Sequence, residues 1–123
     1  MVAIPVNSLG ENPQVSEYFG KSKWFAFFDE GTISFEKNTL SSGCKIVDWL
    51  YDLGVTQTII NSIGKNPLLK LNEMDIECFY DKSHIDNLVI ALEKLEENKL
   101  TKADSKHHID VIDFINGCDE VCS

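Results

Sequence analysis

The chain has 123 residues, 43% hydrophobic and 25% charged, which is material for one compact core and too little for a second. No apolar run approaches the roughly 18 residues that a membrane-spanning helix needs. Net charge is −9 and every one of the eleven basic residues is lysine, so the surface repels phosphate backbones and lacks the arginines that read guanine; neither a nucleic-acid nor a membrane partner is expected.

The opening MVAIPVNSLG lacks the basic segment and long apolar core of a secretory signal and reads as a strand over 2–6, which points to a cytoplasmic protein. Pro5 within it suits a strand end or edge. Residues 7–13 form a loop by composition, and residues 15–20, VSEYFG, form a tight corner that closes on Gly20. Residues 24–28 and 32–36 are rich in aromatic and β-branched side chains, and Asp29-Glu30-Gly31 between them makes them a hairpin.

After Gly43 the period becomes helical. Ile46, Leu50 and Leu53 recur on one face, Ser41 or Ser42 can cap the start, and Gly54 can end the helix. A buried strand is expected over 55–60. A short helix follows to about 72, with Asn66 as cap and Pro67 in the first turn. Residues 75–80 read as another strand, and Ser83 caps a helix with the stripe Ile85, Leu88, Leu92 and Leu95. Three strands, then helices alternating with two more strands, imply an α/β fold with a mixed sheet and helices on its faces. Residues 101–106 read as a polar linker, and Ile109, Ile112 and Ile115 as one more short helix ending at Gly117.

With no export signal, the four cysteines are expected to be reduced. Cys78 lies in an apolar run and reads as a small core residue. Cys44, in the first turn of a helix, should have a lowered thiol pKa, which favours the metal-binding thiolate. Cys118 and Cys122 form C-x₃-C behind His107 and His108, a candidate tail metal or redox site. His84 reads as a surface first-turn residue and Glu93, Glu96 and Glu97 as a solvated face.

The strings VAIPVNS, VSEYFG, SSGCKIVDWLYDLGV and TIINSIGKNPLLKLNEMDIECF, in that order, resemble the dinitrogenase iron-molybdenum cofactor biosynthesis family, small proteins that carry nitrogenase cofactor or its precursors. The resemblance covers residues 1–100, leaving 101–123 as linker and Cys-containing tail. It implies a ribonuclease H-like fold, a five-stranded mixed sheet with its second strand antiparallel. It also implies binding of an anionic iron-sulfur-type cluster, with molybdenum or without, for storage or delivery rather than catalysis. Tyr18 stands where family members usually carry a histidine, so a histidine ligand is missing from this corner.

In an α/β sheet, ligands settle beyond the carboxyl ends of parallel strands, beside helix N-termini. Three segments should converge there. One is the first loop and corner, with Asn7, Ser16, Tyr18, Phe19 and Gly20. The second is the helix start Ser42, Gly43 and Cys44, and the third is the turn carrying Gly64 and Lys65. Helix amides and their partial positive charge favour an anion, glycines permit close backbone approach, and Lys65 adds charge. Candidate metal ligands are Cys44, Cys118 and Cys122. Partners would be the cluster and its donor or acceptor proteins, with the chain a monomer or homodimer. A nuclease would need clustered carboxylates at the sheet centre, and the first strand carries none. A regulatory or interaction module that has lost the cluster is the remaining alternative.

Overall fold

In the computed structural model, which describes residues 1–103, the opening strand forms as β1 (Val2–Val6) and is buried along its whole length. Its side chains alternate. Val2, Ile4 and Val6 join one apolar cluster and Ala3 the other, so β1 is covered on both faces. The hairpin follows as β2 (Trp24–Asp29) and β3 (Thr32–Lys37). Its tips, Asp29 and Thr32, are paired, and both turn residues have positive φ, 50° at Glu30 and 83° at Gly31, as a two-residue hairpin between right-twisted strands requires.

The remaining elements are α1 (Gly43–Asp52), β4 (Gln57–Ile59), α2 (Lys65–Glu73), β5 (Glu77–Tyr80), α3 (Leu88–Glu96) and β6 (Thr101–Ala103). The strands form one six-stranded mixed sheet, ordered β3-β2-β1-β4-β5-β6. The sheet divides the core in two. Phe19, Phe25, Ile46, Leu50, Leu68 and Leu71 fill the side under α1 and α2, and Ile4, Val6, Ile59, Ile85 and Leu88 the side under α3. Trp49 stands edge-on to Phe25 and to Phe27, at 5.8 Å from each, and fastens α1 to the hairpin. Among the described residues no helix is long and apolar enough to cross a membrane.

The α/β class, the hairpin and α1 agree with the sequence reading, and Gly54 (φ 88°) does close α1. Three expectations are corrected. The sheet has six strands, not five, because the segment read as a linker begins with β6, which pairs antiparallel with β5. Helix α2 starts two residues earlier than the Asn66 cap implied: Gly64 is its cap and Pro67 its third residue, where the missing N–H still has no helical acceptor to lose. Helix α3 starts later than Ser83. Asn87 caps it by accepting from Ile90 N–H at 3.0 Å, and Ile85 reaches the core from the preceding loop. The expected helix around Ile109, Ile112 and Ile115, with His107, His108, Cys118 and Cys122, lies outside the described residues.

Candidate functional site

Strands β1, β3, β4 and β5 run one way and β2 and β6 the other, so the segments leaving the first four all emerge at one edge of the sheet. The corner crosses this edge under close backbone control. Val15 bridges to Val6, Ser16 N–H donates to Pro5 O at 2.8 Å, and Phe19 N–H donates to Ser62 O at 3.0 Å beside the Tyr18–Ser62 bridge. A 3-10 turn, Phe19–Lys21, then brings Gly20 against the start of α1: a methyl on Gly20 would lie 3.6 Å from Gly43 N. The corner is tight because it threads between the end of β1, the turn after β4 and the first turn of α1.

The three predicted segments therefore meet, and each residue has a definite place in the arrangement. Ser16 is buried and its hydroxyl donates to Tyr18 O at 3.3 Å, holding the turn. Tyr18 is half-buried. Phe19 points into the core, edge-on to Phe25 at 5.7 Å, so it reaches the edge only through its backbone. Asn7 is exposed at the base of the loop, its N–H donating to Gln14 O. Gly43 serves packing: a methyl there would lie 2.5 Å from Pro67 Cγ, so its missing side chain lets α1 and α2 close on each other. Gly64 is buried with ordinary φ (−71°).

The helix N-termini differ in what they leave available. At α1, Ser42 Oγ accepts from Lys45 N–H at 3.2 Å. At α2, Gly64 offers no side-chain cap, the first helical bond is Leu68 N–H to Gly64 O, and the Lys65 side chain is exposed beside it. Helix α3 opens at the same edge, but the first loop closes it: Leu88 N–H donates to Pro13 O and Val89 N–H to Asn12 Oδ1. Among the described residues, only α1 and α2 can present their positive ends to an anion in front of the corner.

Cys44 is the second residue of α1, 2% exposed, and its sulfur is disulfide-bonded rather than a free thiol. The expectation that every cysteine is reduced thus fails here. A helix N-terminus stabilises the thiolate, the form that attacks to make a disulfide as well as the form that binds metal. Cys78 is the small core residue expected of it; burial in β5 pushes its thiol up to about 12. Among the described residues no three His, Cys, Asp or Glu side chains converge as a metal site.

Asn61 was not anticipated from the sequence. Its side chain accepts from Ile85 N–H at 2.8 Å and donates to Ile85 O at 2.9 Å and Ser16 O at 3.5 Å, stapling the β5–α3 loop to the corner. His84, on that loop, lies 3.7 Å from Glu17 and 3.9 Å from Asp86 and is exposed. The only sequence cue to Asn61 is an amide directly behind a β-branched strand, where a polar group must find a partner.

The sequence model of the dinitrogenase iron-molybdenum cofactor family matches residues 1–98. A Thermotoga protein described as NifB, of the DUF35 family, superposes with TM-score 0.70 at 23% identity, over 82% of this chain and 90% of its own. The apo form of the orange protein from Desulfovibrio gigas gives 0.74 at 18%, over 83% and 91%. A Methanocaldococcus jannaschii protein described as a dinitrogenase gives 0.62 at 17%, over 84% and 93%. At these identities the likeness is one of fold. No curated protein matches the chain.

Proposed function

The chain belongs to the dinitrogenase iron-molybdenum cofactor family, and from that premise we propose that it is a carrier for an anionic iron-sulfur-type cluster, iron-molybdenum cofactor or a precursor. It acts in assembly or delivery, in the cytoplasm, with no turnover of its own, between donor and acceptor proteins. The strand order β3-β2-β1-β4-β5, with β2 antiparallel, supports a ribonuclease H-like fold to which β6 adds an edge strand.

One observation carries the reading. The N-terminal ends of α1 and α2 flank the corner at the carboxyl edge of the sheet, held there by the Gly20–Gly43 approach and the Tyr18–Ser62 bridge. Two helix ends and the Lys65 ammonium make that edge locally receptive to an anion within a chain of net charge −9. The described side chains do not fit a cage of ligands, so the cargo is held by backbone amides and charge, as suits a load that must be handed on. Cys44 can add a sulfur ligand only once its disulfide is reduced.

Reconstitution without oxygen and under reducing conditions tests this, with elemental analysis and a visible spectrum on the parent chain, Lys65→Glu and Cys44→Ser. The parent should retain stoichiometric iron. Reversing charge at Lys65 should weaken retention by about two- to fivefold, the range for one charge at a helix N-terminus. Colourless, metal-free parent protein under every condition would overturn the proposal and leave the interaction module.

A further inference from the structure

The sheet ends on β3, which pairs with β2 on one side and has no neighbour on the other among the described residues. The register says which of its backbone groups face outward. Asp29 and Thr32 are the hydrogen-bonded pair at the hairpin tip, and Asn38 N–H donates to Lys23 O at 2.9 Å, so the even-numbered residues bond inward to β2. Ile33, Phe35 and Lys37 therefore turn both N–H and C=O to the open side. The strand is six residues long, without proline and without a bulge in its pairing, so it carries few of the devices that usually block an edge.

We propose that β3 is a homodimer interface: two copies pair antiparallel through β3 about a two-fold axis at Ser34, joining two six-stranded sheets into one. Side-chain facing admits only registers whose paired numbers have an even sum. An axis at Glu36 would set two carboxylates opposite each other. An axis at Ser34 sets Ile33 against the partner's Phe35 twice, on the α3 side of the sheet, and Thr32 against Glu36 on the other side. Ile33 is 41% exposed, and Phe35 is half-buried beside Trp24 and Phe28, so pairing extends an apolar strip that already begins within one copy. The ends match as well. Lys37 of each copy falls beside Glu30 at the hairpin tip of the other, an opposite-charge contact that a parallel arrangement would lose. Each copy carries net charge −9, so association strengthens as salt screens the mutual repulsion.

Analytical ultracentrifugation of the full chain at low and high salt reads the outcome. The expected result is a reversible doubling of mass, favoured at high salt. Phe35→Pro removes an outward N–H without touching a bond to β2 and should weaken the dimer at least about tenfold. Ile33→Lys should do the same through the side chain, with circular dichroism checking that both variants stay folded. In an antiparallel pair the two Ser34 positions face each other in a non-hydrogen-bonded site with Cα atoms about 4.5 Å apart. Ser34→Cys should therefore yield a covalent dimer under mild oxidation. A chain monomeric at every salt and concentration overturns the proposal. So does a dimer that survives both folded variants, or an edge that takes up an extended peptide in preference to a second copy.

Discussion

Gly43 and Gly20 face each other across the start of α1, yet a methyl group affects them differently. At Gly43 the added carbon meets Pro67 Cγ at 2.5 Å, and proline is a ring that cannot swing aside; at Gly20 the nearest atom is 3.6 Å away, ordinary contact. Gly43→Ala should cost about 1–3 kcal/mol, the usual penalty for overpacking, and Gly20→Ala under about 1 kcal/mol, both read from urea midpoints. Cys78 supplies a second measurement at this scale. Its thiol holds its proton to about 12 in the fold, against 9.0 ordinarily. Between those values the unfolded chain loses a proton that the folded chain keeps, so stability should be full below pH 9 and fall as pH rises through that window. Cys78→Ala should flatten the decline; an equally steep fall in that variant would remove Cys78 as its cause.

At the scale of elements, two contacts hold the loop between β5 and α3. Asn61 bonds both the N–H and the C=O of Ile85, a double role that neither alanine nor aspartate can fill. Asn61→Ala should lower stability by about 1–3 kcal/mol, since it leaves polar backbone unsatisfied against the core, and thermal melting reads the loss. Asp81, behind it, accepts from Lys94 of α3 at 2.5 Å, and that bond holds its carboxyl below the ordinary carboxylate range. The stabilisation is present above that range and lost as pH falls through it; Asp81→Asn should remove about 0.5–1 kcal/mol at neutral pH and little in acid. These contacts also mark where sequence reading stopped. The hairpin and α1 were legible because turn chemistry and periodicity are local. Ser83 looked like the cap of α3, but the loop from β1 had to cover that helix end, and only Asn87 stands where Pro13 and Asn12 can reach the next amides. β6 was missed because Thr-Lys-Ala has no strand pattern of its own and is a strand only through its pairing with β5.

For the whole molecule, the candidate edge was readable in outline because any α/β sheet gathers its loops at the carboxyl ends of its strands. What could not be read was the division of labour among three helix ends, since that depends on which loop covers which. The same scale governs charge. A surplus of nine negative charges strains the folded chain by self-repulsion, and surface pairs such as Lys70–Asp48 at 2.8 Å offset little of it. Raising salt from about 10 mM to 0.5 M, where the screening length falls from roughly 30 Å to a few ångström, should raise the melting temperature by a few degrees. A fall instead would mean that the ion pairs outweigh the net repulsion.

The central strand has a consequence for how the protein is made. β1 bonds β2 through a nearby hairpin, but its other edge is met by β4, whose Thr58 hydroxyl donates to Ala3 O across 55 residues of sequence. A growing chain therefore carries an apolar, half-paired strand until β4 emerges from the ribosome, some seconds later at about 5–20 residues per second. The corner, the helix ends and the Asn61 staple come together only after that closure. A chain not yet extended through α2 has no assembled edge, so under the proposed carrier function loading must follow that closure.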